Sequence, residues 1–182
     1  GAGGPAEGRG RVPGPGGSGE PEPRPRFCAA GGFFAHDRKA RVVAPEIPAL
    51  RTETTAGRPL RLNTGRIRDQ WHTMTRTGTS PRLGQHLPEP FVEIHPSDAA
   101  RFGLSHDGFA RVTTDYGQCL LKVVVSPRQP RGMLFAPIHW SEVNASSGRV
   151  GALVAPFTAP FSGQPEHQAT PASLAASASR AR

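Results

Sequence analysis

The chain has 182 residues, a formal charge of +8 and a hydrophobic content of 36%, which suits one packed domain with flanks that do not pack. It holds no run of 18 apolar residues and opens with no apolar signal stretch, so a membrane span is excluded and the cytoplasm is the expected compartment. Two cysteines, Cys28 and Cys119, are too few for a disulfide framework and lack metal-ligand spacing, so both are expected to be buried or half-buried thiols.

Residues 1–26 contain nine Gly and six Pro, with Val12 as the one large aliphatic side chain. Such a segment cannot bury enough apolar surface to offset its ordering entropy, and it is expected to be disordered. Residues 27–59 form a lead-in: FCAAGGFF and ARVV suggest a hairpin or edge segment up to Val43, and Glu46–Pro59 reads as a Pro-, Thr- and Gly-rich linker. The domain proper is expected over residues 60–170. RPLRLNTG opens it with a short strand ending at Gly65, and the alternating FVEIHP at Phe91–Pro96 is a half-buried strand. A short helix follows, with Ser97 as its N-cap and Gly103 as its stop. After a turn at His106–Gly108, FARVTTDYGQCLLKVVVS reads as two strands around an Asp115–Gly117 turn. A second turn at Pro130–Gly132 leads into the strand MLFAPIHW. The Ala/Ser-rich residues 171–182 are expected to fray. With neither βαβ alternation nor a repeat, the fold class is mainly β, a small closed β-barrel with short helices.

Chemistry concentrates in NTGRIRDQWHTMTRTG, Asn63–Gly78. Residues 60–170 carry eleven Lys/Arg and eight Asp/Glu, and Arg66, Arg68, Arg76 and Arg82, less Asp69, account for the whole excess of +3. Positive charge in a loop rich in Gly backbone and Thr hydroxyls suits phosphate oxygens, and guanidinium forks suit a pyrophosphate. The alternative is a solvated loop with surface ion pairs. Trp71 could stack on a planar heterocycle or could anchor the loop on the barrel. His72 could donate to a ligand or serve as a hydrogen-bonded spacer. His139–Trp140 poses the same choice, with core packing favoured for Trp140. Ser105–His106–Asp107 are sequence neighbours, unlike the members of a hydrolytic triad. No G-x-G-x-x-G that opens a helix, Walker loop or Cys/His cluster occurs.

The run LNTGRIRDQWHTMTRTG, followed in order by PEPFVEIHPSDAARFGL, GFARVTTDYGQCLLKVVVS, GMLFAPIHWS and SGQPE, resembles the C-terminal molybdopterin-dinucleotide-binding domain of molybdenum oxidoreductases, above all that of bacterial assimilatory nitrate reductase catalytic subunits. The resemblance implies a double-psi β-barrel and a molybdenum bis-molybdopterin guanine dinucleotide (bis-MGD) cofactor. By position it assigns cofactor binding to Thr64, Gly65, Arg66, Ile67, Arg68, Asp69, Gln70, Trp71, His72 and Thr73, with Met74 and Thr75 just after. It also implies an Asn where Gly151 stands and a Lys where Gln168 stands. Iron–sulfur ligands and the metal-ligating residue would lie in domains N-terminal to this one, which are therefore the implied partners, and no catalytic or metal-ligating residue is expected here. Two other classes compete: a nucleic-acid-binding basic barrel and a non-catalytic protein-interaction barrel. Against the first stand the single Tyr, the absence of aromatic-interleaved basic strands and the confinement of charge to one loop.

Overall fold

In the computed structural model, residues 32–47 and 49–177 are described, so the Gly/Pro-rich start, Cys28 and the last five residues lie outside the description. Two units are distinguished, residues 1–47 and 48–182. In the first, residues 27–31 of the expected hairpin or edge segment lie outside the described residues, and residues 32–47 contain no strand, only a turn closed by the Phe33 N–H on the Arg38 carbonyl (3.0 Å) and the Arg38 N–H on the Ala35 carbonyl (2.8 Å). Val42 and Val43 are exposed, so the apolar residues that suggested a strand have no face to bury.

The second unit is a closed barrel of six strands: β1 Leu60–Gly65, β2 Phe91–Ile94, β3 Phe109–Thr113, β4 Gln118–Val125, β5 Met133–Pro137 and β6 Thr170–Ser177. Around the barrel the order is β1-β5-β2-β4-β3-β6, and β6 closes it by pairing with both β3 and β1. The β1–β5 and β2–β4 pairs are parallel and the other four antiparallel. Alternation explains the strands. Leu60 and Leu62, Ala110 and Val112, Cys119, Leu121 and Val123, and Leu134 and Ala136 face inward, while the residues between them face out. Six strands enclose a narrow interior, so Ala110, Ala136 and Ala172 fit beside Leu and Val, and the barrel is filled by side chains. Strand β2 is more buried than an alternating strand, because Val92 and Ile94 enter the core and Phe91 packs at a ring-centroid distance of 6.3 Å from Phe135.

Two expectations at the domain edges are corrected. Residues 171–177, read as a frayed tail, belong to β6, with Ala172 and Leu174 in the core. Alanine is a poor strand former in isolation, and here the strand is stabilised by two neighbouring strands and a site too tight for larger side chains. The segment read as a linker is tied down at its end. Arg58 donates to the Thr114 carbonyl (3.2 Å) and the Ser173 hydroxyl (3.3 Å) and pairs with Asp115 (3.2 Å). Arg61 donates to the Thr52 carbonyl (3.2 Å) and pairs with Glu53 (2.7 Å).

The described residues hold two short helices, α1 Pro81–Gly84 and α2 Pro96–Arg101, and a 3-10 turn at Val150–Leu153. In α2 the N-cap is His95, not Ser97: its imidazole Nδ1 accepts the Ser97 N–H at 3.0 Å, and Pro96 takes the first helical position, where its missing N–H costs nothing. Gly103 ends the helix with φ +62°, and the Leu104 N–H bonds the Ala99 carbonyl at 2.8 Å. Asp98 reaches from α2 to accept the Gly132 N–H at 2.7 Å, in the turn that starts β5.

Candidate cofactor-binding loop

The Arg- and Thr-rich run leaves β1 at Gly65 and continues to α1. Its root is rigid. Thr64 is buried, and both its N–H (3.1 Å) and its hydroxyl (2.9 Å) donate to the His167 carbonyl. The Gly65 carbonyl accepts the Ile138 N–H at 3.0 Å. A Cβ on Gly65 would stand 3.0 Å from the Phe135 ring, so glycine lets β1 run close to that side chain.

Beyond the root, the loop is held by His139, which lies just past β5 and has no solvent exposure. Its Nε2 accepts the Ile67 N–H at 3.0 Å, and its Nδ1 meets the His72 carbonyl at 2.6 Å. One nitrogen must accept and the other donate, so the ring is neutral with its proton on Nδ1. Burial lowers its pKa below the ordinary histidine value, and the nearby Arg66 charge adds to the effect. The sequence leaves His139 open between a ligand donor and a hydrogen-bonded spacer, and the structure shows both its ring nitrogens engaged with the loop backbone. Trp140 is buried, in line with core packing.

The side chains then divide into two groups. Arg66 and Arg76 both lie over the Trp71 ring, with guanidinium carbons 4.9 and 5.2 Å from its centroid. His72 meets the same ring edge-on at 4.9 Å. Trp71 is thus neither buried as a simple anchor nor free as a flat platform. It gathers two cations and remains 42% exposed. Arg68, by contrast, is committed to Asp69 (2.8 Å), which also pairs with His86. The Arg68 hydrogen bond is the largest cause holding the Asp69 carboxyl below its ordinary pKa. Among the described residues Arg66, Arg76 and Arg82 have no acidic partner, so three of the four guanidiniums of the loop and α1 keep their charge for something else. Arg68, Asp69, Arg76, Arg82 and His86 line an open depression of about 350 Å³.

Gln70 and Met74 point inward. Gln70 accepts a hydrogen bond from the Thr77 hydroxyl, and Met74 is buried, with its carbonyl accepting the Gly78 N–H at 2.7 Å. Thr73 and Thr75 are exposed, and the Thr75 N–H bonds the Trp71 carbonyl at 3.3 Å. Of the assigned residues, Thr64, Gln70 and Met74 therefore build the loop, while Arg66, Trp71, His72, Thr73 and Thr75 present groups at its surface. His72 and Met74 adopt left-handed backbone (φ 47° and 64°), a conformation that non-glycine residues keep when the surroundings hold them.

The other expected positions lie near this loop's root or on the 3-10 turn. Gln168 is exposed and lines a larger depression of about 610 Å³, bordered by Arg51, Glu166 and His167. Gly151 is exposed in the 3-10 turn, and a Cβ there would meet no heavy atom within 4 Å. Elsewhere, His106 is a turn residue whose Nδ1 accepts the Val125 N–H at 3.0 Å, and Arg128 and Arg131 are exposed in their turn. Among the described residues no group of three His, Cys, Asp or Glu could hold a metal ion, and no helix is long and apolar enough to cross a membrane.

A family model, the molydopterin dinucleotide binding domain, matches residues 60–171. The chain belongs to this family. The match begins on the first residue of β1 and ends on the second residue of β6, so it covers β1 to β5 and the loop together. The chain is 48% identical over 139 residues to a nitrate reductase of Klebsiella oxytoca, covering 76% of this chain and 16% of that protein. It is 30% identical over 126 residues to the assimilatory nitrate reductase catalytic subunit of Bacillus subtilis, covering 68% of this chain and 18% of the relative. The structure of acetylene hydratase from Pelobacter acetylenicus superposes with a TM-score of 0.57 at 19% identity, over 66% of this chain and 18% of that one. The last likeness is one of fold. The chain thus spans under a fifth of each of these larger proteins.

Family membership implies a molybdopterin dinucleotide as the ligand class, and the residues present suit one. Besides the three uncommitted arginines, Asn63 Oδ1 and His167 Nδ1 are buried without a hydrogen-bond partner. Both lie at the loop root, Asn63 directly before Thr64 and His167 bonded to it. Buried polar atoms of this kind are costly unless a ligand or water meets them. A large polar dinucleotide offers partners for both.

Proposed function

We propose that this chain is the C-terminal cofactor-binding part of a nitrate-reductase-like molybdenum oxidoreductase of the cytoplasm, with a double-psi barrel that binds bis-MGD through the Thr64–Thr75 loop. The observation that carries the reading is the loop with its continuation into α1: Arg66, Arg76 and Arg82 have no acidic partner among the described residues, and the loop backbone is tied to the barrel at Thr64, Ile67 and His72. The nitrate reductase relatives, one of them named as assimilatory, support the reaction class. When bound, the molybdenum cofactor supplies the redox chemistry. The chain's own part is to bind and orient: Arg66 and Arg76 offer charge-assisted hydrogen bonds to phosphate, and the hydroxyl of Thr73 and the imidazole of His72 offer further donors, while the Thr75 hydroxyl donates to the Trp71 carbonyl at 3.4 Å. Iron–sulfur and metal ligands belong, on this reading, to the remaining domains of the enzyme, which are its partners.

The reading is tested by titrating the full chain with diguanosine 5′,5′-diphosphate, a guanine dinucleotide with a pyrophosphate bridge, at two ionic strengths. Affinity should fall with salt, and Arg66→Ala should cost about 1.5–3 kcal/mol, as expected for a hydrogen bond to a charged group. Equal affinity for wild type and variant would remove the loop from the site.

A further inference from the structure

We propose that His139 is the positioning residue of the cofactor loop, presetting Arg66 and Trp71 for the dinucleotide through its two hydrogen bonds to the loop backbone. The inference rests on the loop being the cofactor site, as proposed above. Both partners of the buried ring belong to the loop: the Ile67 N–H at 3.0 Å and the His72 carbonyl at 2.6 Å. Each of these two groups adjoins a residue that matters. Ile67 directly follows Arg66, and His72 directly follows Trp71, so one rigid ring locates the backbone beside each. Their side chains meet with the Arg66 guanidinium carbon 4.9 Å from the Trp71 centroid. Between the two contacts, the loop's own backbone bonding is a single turn, the Gln70 N–H on the Ile67 carbonyl at 3.3 Å. Without His139, the His72 carbonyl would lose its partner, and the left-handed backbone of His72 (φ 47°) would lose a restraint that holds it.

The ring can do this only while neutral. Protonation would put a donor on Nε2 facing the Ile67 N–H, and the charged groups turned towards it, Arg66 and the titratable His72, supply no compensating carboxylate. Asp69, the acidic residue of the loop, is taken by Arg68 and His86. The latch is therefore made at neutral pH and broken by acid.

The experiment compares the full chain with His139→Ala and His139→Gln. Gln keeps a carbonyl acceptor for the Ile67 N–H and does not titrate. Amide hydrogen exchange is read at Ile67 and, as a fold control, at Val92 and Leu121 in the core. Binding of diguanosine 5′,5′-diphosphate, whose phosphodiester charges stay constant, is measured between about pH 5 and pH 8. Expected for His139→Ala are loss of Ile67 protection with an intact core, and affinity lower by about tenfold or more. His139→Gln should recover most of the affinity and should lack the acid-side fall expected of wild type, and since the two proteins differ only at residue 139 the difference belongs to His139. Wild-type Ile67 protection or affinity in His139→Ala would overturn the proposal. Should the Ala variant unfold, the pH profiles of wild type and His139→Gln decide, and identical profiles sink the idea. Failure of the wild type to bind at all would refute the cofactor reading instead, while Ile67 exchange would still test the latch.

Discussion

Thr64 and His167, 103 residues apart, are joined twice through one carbonyl: the Thr64 N–H and hydroxyl both donate to the His167 oxygen, at 3.1 and 2.9 Å. This pairing brings the end of β1 against the segment that leads into β6, and it fixes where the Arg-rich loop departs. Thr64→Val keeps the side-chain shape and the backbone bond but removes the hydroxyl. It should cost about 0.5–1.5 kcal/mol in urea unfolding, together with faster amide exchange at His167 and Gln168. Unchanged stability would mean that the backbone bond alone holds the junction.

Strand β6 makes the barrel's C-terminal limit testable. Limited proteolysis should leave a resistant core that runs from about Leu60 through Ser177, not one that stops at residue 170. Leu174 lies in the core, and Leu174→Ala should lose roughly 2–4 kcal/mol through lost burial and a residual cavity. A loss below about 0.5 kcal/mol, or early cleavage within 171–177, would show that β6 does not close the barrel in solution.

Cys119 is buried, with its thiol donating to the Arg149 carbonyl at 3.2 Å, and desolvation pushes its pKa up from 9.0 to about 11. The folded state thus holds the thiol proton more tightly than the unfolded state. Between these values the unfolded chain binds fewer protons, so stability falls as pH rises. The contribution is fully present below about pH 9 and lost on the way to pH 11. In a Cys28→Ser background, native alkylation at neutral pH should be slow and should accelerate sharply in denaturant. Equal rates in both states would contradict the burial.

Gly151 faces open space, so the Asn that the family resemblance expects there can be restored without a clash. Gly151→Asn should change stability by less than about 0.5 kcal/mol. If that amide meets the cofactor, affinity for extracted molybdopterin dinucleotide should rise roughly threefold to tenfold, as a gained hydrogen bond allows. Unaltered affinity would place the 3-10 turn outside the site.

Nitrate turnover is expected only with the remaining domains. Catalysis at a metal needs a shaped, water-excluding cavity with an open coordination position, and one barrel covers only part of so large a cofactor. Reduced-viologen oxidation by the chain supplied with cofactor should stay at the no-protein level. On the proposed reading, co-expression with the remaining domains of such an enzyme should give turnover that depends on Arg66. Nitrate-dependent turnover by the chain alone would overturn the division of labour.

Hydrophobic period and turn chemistry were enough to place β1, the β3–β4 hairpin and the stop of α2 at Gly103, because each is decided by residues close together in the chain. Charge distribution likewise singled out the Arg66–Arg82 region, since an excess of charge is visible without coordinates. Strand β6 was not legible: TPASLAAS has the composition of a frayed end, and only pairing with β1 and β3, distant in sequence, makes it a strand. The cap of α2 was missed by two residues, because a histidine acting through its imidazole leaves no cap signature. The same holds inside the loop. Its sequence announces four arginines but cannot say that Arg68 is taken by Asp69, or that Arg66 and Arg76 gather on Trp71. Nor can it say that His139, 72 residues beyond Ile67, holds the backbone beneath them. Such choices depend on which groups closure of the barrel brings within about 3 Å of one another, and only the tertiary structure decides that.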